Sequence, residues 1–500
     1  MNKLKKTSFL PLLALVLLYL ASRLFKLTAL PLYNDEAMYI NWGRLIVEDP
    51  QKQVFISLTD GQQPLFLWLV AFSYWLGKSH FLFFGRMISV IAGLGTLITL
   101  YFLGKKLFSH RIGFISASFY VLAAFPLWYD RLAIKDSFLM LLAALIFYFA
   151  IRQVEDKNWW AIIAGLILGI ALLTKGIAYF FIGLYPLTVF LLTLKRSKKL
   201  WSDLLFNQLK WTSIALLLAF VIQSLMFLSP LSSQIGPKNS VFLLSLAEVL
   251  NFPIQLWRNN LYSTIMWWWQ YYGGIIISLA GLGFGLFYFQ RQIAKGMILL
   301  SWIILPIIFE IFTAKIYIPR YFLFTFIPLS LVVAYSLNWL LAKLKNKYFQ
   351  AILVVLVFLP NLILDSQILF EPAKARLPQV ERWQYFEGWP AGYGFRDLVI
   401  FLKTNYLNKN VLLITEKETL VSSGLPLYLT DFSNIKIKRV FDLEKPLEEF
   451  PLQLAKEAEE TLIIIHHYQS LPKDWPVEEI IRIPRFNQER FFLVYKLREN

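Results

Sequence analysis

Residues 8–39 read SFLPLLALVLLYLASRLFKLTALPLYNDEAMY. The first part, 8–26, is an apolar run close to the roughly 20 residues that a helix needs to cross a membrane. The adjacent carboxylates Asp35 and Glu36 follow a short distance after its end. Two acids beside a membrane segment, in a region with few acids, indicate chemistry at the membrane surface, with Asp35 as a proton acceptor.

The composition of the whole chain is typical of an integral membrane protein. Apolar residues make up 57% of it, aromatic residues 17%, and the mean hydropathy is +0.55. Residues 1–365 hold 31 Lys+Arg and 13 Asp+Glu, a net charge of +18, whereas residues 366–500 hold 18 and 19, a net charge of −1. The positive charge therefore lies in short loops between apolar segments, which indicates membrane orientation and no nucleic-acid partner. The absence of cysteine excludes disulfides and thiolate–metal sites.

The apolar pattern predicts a polytopic α-helical membrane protein with about 11 transmembrane helices. The first is an uncleaved membrane helix rather than a signal peptide. The predicted spans are 8–26, 81–103, 112–128, 136–152, 159–174, 177–194, 211–229, 272–290, 297–313, 322–341 and 349–366. Alternate loops are basic, so the positive-inside rule places the N-terminus in the cytoplasm and the tail after Leu364 outside. A prokaryotic plasma (inner) membrane is the expected location.

The chain is expected to contain two domains. Residues 1–366 form the membrane domain, with a first outer loop at about 27–80 that carries a helix lying along the membrane from Gln63. Residues 367–500 form a small extracytoplasmic α/β domain, because β-type runs at 411–415, 461–465 and 491–495 are separated by helical patterns at 394–407 and 444–458.

Several cations fall at the predicted outer face, where basic residues should be scarce. A charge at membrane depth is costly and usually has a partner or a function, and a cluster of cations suits the phosphate of a lipid. Alternatively, each is an end-of-helix residue that reaches water. The cations are Arg86, Arg131, Lys135, Lys175, Lys315 and Arg320.

Three groups of acidic or histidine residues can also be explained by a purely structural role. Asp35 and Glu36 could cap the helix that follows them. Asp130 and Asp136 could simply neutralise Arg131 and Lys135. His466-His467 follows a β-type run without a ligand-spaced partner, so a structural or solvated pair is expected rather than a metal site.

The order of short motifs resembles the GT-C membrane glycosyltransferases, specifically glycosyltransferase family 39, which includes protein O-mannosyltransferases and the lipid A aminoarabinose transferase. The resemblance covers about residues 8–340, and the segment Trp389–Gly394 is similar to one in bacterial members with an extracytoplasmic tail. The motifs are Asp35-Glu36, Gln63-Pro64-Leu65, Phe84-Gly85-Arg86, Arg131–Asp136, Leu173-Thr174-Lys175-Gly176 and Pro319-Arg320-Tyr321.

The resemblance implies transfer of a sugar from a polyprenyl-phosphate carrier to an acceptor outside the cytoplasm, which could be a protein, a lipid or a glycan. It implies Asp35 as the catalytic base and Glu36 as a second acid that helps position the acceptor or the donor. Lys175 and Arg320 are expected near the lipid phosphate, and the configuration of the sugar should be inverted. Arg86, Arg131 and Lys315 are further candidates for binding the donor. No cofactor or metal is implied. One departure is Gln62-Gln63-Pro64, where many relatives have His- or Lys-Pro-Pro.

Two other classes of function compete with the enzyme. A secondary transporter would suit many spans and intramembrane charges, but such proteins usually show paired halves with interrupted helices, and no second half resembles the first. A membrane scaffold whose outer domain binds a partner would leave Asp35 and the outward cations unexplained.

Overall fold

The computed structural model describes residues 9–194, 201–443 and 458–498, and most of them are helical. Among these residues, eight helices are long and apolar enough to cross a membrane, and each overlaps one of the predicted spans. They are Lys78–Leu107, Lys135–Glu155, Gly176–Leu194, Asp203–Leu228, Ile254–Phe289, Ile293–Thr313, Pro319–Lys343 and Lys347–Phe370.

The other three predicted spans are shorter helices. The first becomes Phe9–Leu24 and the fifth becomes Trp160–Leu172. The third is divided into His110–Val121 and Ala124–Tyr129, because Ala123 adopts an extended conformation. Pro126 then lies in the first turn of the second piece, where its missing N–H removes no hydrogen bond. The prediction of a polytopic, mostly helical membrane fold with a small C-terminal sheet domain is confirmed, and eight of the eleven predicted spans contain helices long enough to cross a membrane among the described residues.

The remaining helices lie in the loops and the tail. They are Asn34–Glu48, Pro50–Gln53, Leu65–Leu76, Ile235–Phe242, Leu246–Leu250, Gln379–Arg382, Phe395–Tyr406 and Leu420–Leu429. The helix predicted from Gln63 is thus Leu65–Leu76, and the one predicted at 394–407 is Phe395–Tyr406. The helix predicted at 444–458 lies almost entirely outside the described residues. Two of the basic segments behind the predicted orientation, 3–6 and 195–199, also lie outside them.

The chain packs as two compact units, and the larger contains most of the membrane helices. It comprises the chain up to Leu27, Gln51–Leu69 and Arg86–Arg376. Its core is aromatic: Trp302 is fully buried, with its ring stacked on Phe147 at 4.9 Å and on Phe181 at 5.7 Å between centroids. Gly104 and Gly113 allow their helices to touch backbone to backbone, because a Cβ at Gly104 would lie 2.6 Å from the Cα of Gly113.

The second unit comprises Thr28–Pro50, Val70–Gly85 and the chain from Leu377. It contains a five-stranded sheet in the order β2-β1-β3-β5-β4, in which β1 pairs in parallel with β2 and β3, and β5 pairs antiparallel with β3 and β4. The strands are β1 Val411–Glu416, β2 Ile435–Phe441, β3 Glu460–Ile465, β4 Val477–Pro484 and β5 Phe491–Leu497.

The predicted runs correspond to β1, β3 and β5, which form the buried centre of this sheet. β2 and β4 were not predicted, since each is an edge strand rich in charge, with the sequences IKIKRVF and VEEIIRIP. Charged residues are a common protection of sheet edges against pairing with other chains. Within the same unit, the helix Asn34–Glu48 packs against the helix Leu420–Leu429.

Candidate active site

Lys175 is the centre of the strongest candidate site in the larger unit. It has an extended backbone between the helix that ends at Leu172 and the turn that starts at Gly176. Its Nζ lies 2.5 Å from Oδ1 of Asp136 and 4.7 Å from the centre of the Tyr321 ring. The sequence pattern assigned Asp136 to its neighbour Lys135, but the fold pairs it with Lys175, 39 residues away.

A pocket of about 440 Å³ opens beside Lys175. Most of its wall is apolar, from residues such as Ile177, Phe180 and Phe242, and the polar residues on it include Lys175, Glu310 and Tyr321. A mostly apolar cavity with a few convergent polar groups is the usual form of a small-molecule site. An apolar wall beside an ammonium group suits a ligand that joins a hydrocarbon chain to an anion.

The segment Gln62-Gln63-Pro64, which differs from the His- or Lys-Pro-Pro of many relatives, lies close to Lys175. The backbone N–H of Leu65 donates to the carbonyl of Leu173 at 3.0 Å, which holds the two segments side by side. A Cβ at Gly176 would lie 3.6 Å from Nε2 of Gln63. Gln62 accepts a hydrogen bond at 2.6 Å from Nζ of Lys135. Lys135, which the sequence predicted at the outer face, thus contacts the glutamine pair.

Arg320 follows Pro319 in a 3₁₀ turn, Pro319–Thr325, that leads into the helix Phe326–Lys343. Proline in the first turn is favourable because its fixed φ suits the helical start and its nitrogen needs no acceptor. The charge of Arg320 is close enough to act on Lys175. Lys175 and Tyr321 are therefore in contact, and Arg320 is the neighbour of Tyr321 in the chain.

Arg86 and Arg131 have a different environment from Lys175. Arg86 is fully buried and donates at 2.7 Å to the carbonyl of Leu27. Arg131 donates to the carbonyls of Ser22 at 2.9 Å and Phe25 at 2.8 Å. Both guanidinium groups thus bind backbone carbonyls at or just beyond the C-terminal end of the first helix, where cations are favourable.

Lys315 lies on a loop at the end of the helix Ile293–Thr313. Its Nζ is 2.8 Å from a carboxylate oxygen of Glu248 and 3.0 Å from the carbonyl of Ser240. The hydrogen bond from Lys315, together with those from the backbone N–H and the hydroxyl of Ser245, lowers the pKa of the exposed Glu248 carboxyl to about 2. Lys315 is therefore ion-paired with an acid of the preceding loop.

A second buried ion pair in the larger unit joins Arg23 to Asp130. The Nε of Arg23 lies 3.5 Å from the carboxylate, and both side chains are fully buried. Asp130 also accepts hydrogen bonds from Tyr120 at 2.9 Å and Ser137 at 2.8 Å. Of the two arginines near it in sequence or space, Asp130 thus pairs with Arg23 and not with its neighbour Arg131, which was the plainer interpretation of the sequence.

Asp35 and Glu36 lie in the second unit, in the first turn of the helix Asn34–Glu48. Tyr33 caps this helix in an extended conformation without a side-chain hydrogen bond. Asp35 is half-buried, whereas Glu36 has no exposed surface. Of the two acids, Asp35 is thus the one with a surface that a substrate can reach.

The histidine pair lies in the second unit, and within the described residues no group of three or more His, Cys, Asp or Glu is suited to hold a metal ion. Nδ1 of the buried His466 lies 2.8 Å from Oε2 of Glu416. The same carboxylate accepts backbone hydrogen bonds from His466, His467 and Tyr468 at 2.8–3.2 Å. The pair is thus part of a buried polar network at the ends of β1 and β3.

Comparisons with known proteins agree with this architecture. Residues 61–227 match the family model described as dolichyl-phosphate-mannose-protein mannosyltransferase. The chain superposes on the crystal structure of ArnT from Cupriavidus metallidurans bound to undecaprenyl phosphate with a TM-score of 0.61 and 14% sequence identity, over 97% of each chain. The chain has the GT-C glycosyltransferase fold. The resemblance drawn from the sequence motifs is confirmed.

A second structure with the GT-C fold extends the comparison to an archaeal protein. The oligosaccharyltransferase AglB from Archaeoglobus fulgidus, in complex with an inhibitory peptide and a dolichol-phosphate, matches with a TM-score of 0.57 and 11% identity. The match covers 93% of this chain and 70% of that one. No curated protein matches the chain in sequence.

Sequence reasoning missed one residue of the site in this GT-C fold, Glu310. It is the only acid within the predicted span 297–313, and it lines the pocket beside Lys175. The available signal was its position, because a carboxylate inside a membrane span is a functional-site hypothesis by default.

Proposed function

We propose that the protein transfers a sugar from a polyprenyl-phosphate carrier to an acceptor hydroxyl at the extracytoplasmic face of a plasma membrane. The observation that carries the proposal is the pocket beside Lys175, in which an ammonium group lies at the edge of a mostly apolar cavity. A polyprenyl phosphate has the matching chemistry, with an anion joined to a long hydrocarbon. The GT-C fold supports it, since one solved neighbour is bound to undecaprenyl phosphate and another to a dolichol-phosphate.

The reaction is a single displacement at the anomeric carbon of the donor sugar. Asp35 acts as the general base and takes the proton of the acceptor hydroxyl as its oxygen attacks. A new bond forms between that oxygen and the anomeric carbon, while the bond from this carbon to the phosphate oxygen breaks. The electron pair leaves with polyprenyl phosphate, and the configuration of the sugar is inverted.

Lys175 and Arg320 stabilise the negative charge that develops on the departing phosphate. A lysine acts as a compact charge and an arginine as a planar two-pronged donor, so the two complement each other on one phosphate group. Such stabilisation is a large contribution to catalysis when the donors are already oriented. Asp136 and the Tyr321 ring orient Lys175 in this way before the donor binds.

Glu36 is fully buried beside the proposed base, so its role is to position Asp35 and the helix that carries it. The choice between protein, lipid and glycan acceptors is left to experiment. A reaction at the extracytoplasmic face corresponds to the orientation in which the N-terminus is cytoplasmic and the C-terminal domain is extracytoplasmic.

The test is turnover of a panel of polyprenyl-phosphate sugars by the purified protein, with crude membranes as the source of acceptor. Release of free polyprenyl phosphate is measured for the wild type and for Asp35→Asn. We expect release by the wild type and at least a 100-fold slower release by the variant, with unchanged donor affinity. Release that is equal in the two proteins would contradict the role of Asp35. Flux of substrate into sealed vesicles without a covalent change would support a transporter instead.

A further inference from the structure

Glu310 is a buried acid that the proposed reaction does not use. It lies near the C-terminal end of the helix Ile293–Thr313, and only 5% of its surface is exposed. Taking a carboxylate out of water is costly unless it gains hydrogen bonds or an ion pair. A group kept at this cost in a membrane helix requires an explanation.

One oxygen of this carboxyl group is not satisfied by the surrounding described residues. Within the described parts of the chain, its Oε2 is buried and has no hydrogen-bond partner. Lys175, which lies on the wall of the same pocket, has its ammonium group 2.5 Å from Asp136 and makes its ion pair there. The carboxylate of Glu310 is therefore still able to accept a hydrogen bond from a ligand.

The pocket beside Lys175, which Glu310 also lines, contains groups that can bind the sugar of such a donor. Besides Glu310 and Lys175 it is lined by the exposed amide of Asn239 and by aromatic rings, including those of Phe242 and Tyr321. Carboxylate and amide oxygens accept hydrogen bonds from hydroxyl groups, and aromatic faces pack against apolar surface. Its volume of about 440 Å³ lies within the usual range for sites that bind small molecules.

We infer that Glu310 is a specificity residue that accepts a hydrogen bond from a hydroxyl or ammonium group of the donor sugar. The inference rests on the proposed function, because the phosphate of the same donor is bound by Lys175. A sugar with a hydrogen-bond donor at the matching position satisfies the buried carboxylate, whereas one without it leaves the carboxylate unpaired. Such a loss of partner is the strongest means by which a site rejects a close analogue.

The experiment compares wild type, Glu310→Gln and Glu310→Leu on a panel of polyprenyl-phosphate sugars. The panel holds a parent sugar, analogues that each lack one hydroxyl, and analogues with an amino group in its place. For the preferred donor we expect Glu310→Leu to lower kcat/KM by roughly 10- to 100-fold. On the analogue that lacks the contacted group, the kcat/KM of the wild type and that of Glu310→Leu should differ by less than about 3-fold. Glu310→Gln separates the two ligand types, since loss of charge should affect an ammonium donor more than a hydroxyl.

Two further readouts distinguish recognition from a structural role. The affinity for bare polyprenyl phosphate should not fall in Glu310→Leu, because that ligand has no sugar. The thermal stability of Glu310→Leu should be equal to or above that of the wild type, since an apolar side chain replaces a buried carboxyl without hydrogen bonds. Glu371→Gln, which removes an exposed acid of the ion pair with Lys374, is the control.

The two proposals fail in different ways. If the wild type turns over some donors and Glu310→Leu lowers kcat/KM by the same factor on all of them, the specificity role is wrong and the proposed function stands. A lower affinity for bare polyprenyl phosphate would also overturn it, because Glu310 would then serve the carrier. If the wild type turns over none of the panel, both the proposed function and this inference are wrong.

Discussion

The backbone N–H of Asn34 donates a hydrogen bond to the carbonyl of Pro390 over 2.9 Å. Asn34 begins the helix whose next residue is the proposed base, Asp35. Arg485 holds the other side of this contact, since its guanidinium donates to the carbonyls of Gly388, Trp389 and Ala391. The C-terminal segment therefore holds the start of the helix that carries the proposed base.

Gly392→Ala should slow transfer without changing donor affinity. A Cβ at this position would lie 1.9 Å from the carbonyl oxygen of Leu32, so the segment before Asp35 must move. A displacement of about 1 Å in a catalytic group can cost on the order of 100-fold in rate. The measurement is kcat together with the Kd for polyprenyl phosphate. Gly281→Ala, at a position with no neighbour within 4 Å of the added Cβ, is the control and should be unaffected.

Lys175→Met should weaken binding of polyprenyl phosphate by roughly 10- to 100-fold, because a hydrogen bond to a charged group contributes about 1.5–3 kcal/mol. Affinity is measured by titration of the purified protein with undecaprenyl phosphate. Lys106→Met is the matched control, since Lys106 also lies 2.5 Å from an aspartate, Asp156, but is distant in sequence from every proposed site residue. Equal affinities of the two variants would argue against a phosphate site at Lys175.

Asp130→Ala should lower the free energy of unfolding of the larger unit by about 3–5 kcal/mol, because it leaves the buried Arg23 guanidinium without its counter-charge. Thermal unfolding in detergent measures the effect. Asp156→Ala removes a partly exposed acid with similar partners, Lys106 and Arg152, and should cost less than about 1 kcal/mol. Similar losses in the two variants would mean that Arg23 finds another partner or water.

The C-terminal domain should lose stability as the pH falls. Burial lowers the pKa of His466, so protonation favours the unfolded chain below the ordinary histidine pKa of about 6.5. The pKa of Glu416 is also lowered: burial acts to raise it, but His466 and the backbone N–H groups outweigh burial. Its contribution is present above the ordinary glutamate pKa of about 4.3 and is lost below it.

Tryptophan fluorescence during acid titration measures this loss, because Trp389 lies beside His467 with 5.4 Å between ring centres. Glu416→Gln should destabilise the domain already at neutral pH and flatten the acid limb of the curve. Glu478→Gln, the same change on the exposed face of β4, should leave the curve unchanged. An identical acid limb in the wild type and in Glu416→Gln would show that other groups cause it.

Much of the architecture follows from local sequence. Long apolar runs fix the membrane helices, since unpaired backbone groups in lipid allow few alternatives to a helix. The span at 112–128 was misread as one helix because hydropathy does not register a single extended residue, Ala123. β2 and β4 were missed for the related reason that edge strands carry charge instead of an apolar pattern.

The sequence by itself determined the class of the protein, its apolar helices, and which motifs contain carboxylates and cations, because hydropathy, charge and residue type are local properties. Only the tertiary structure decided the partners. It pairs Lys175 with Asp136 and Asp130 with Arg23, places Glu310 in the pocket wall, and sets Pro390 against Asn34. The three pairs join residues between about 40 and 360 positions apart, and only the folding of the chain in three dimensions brings them together.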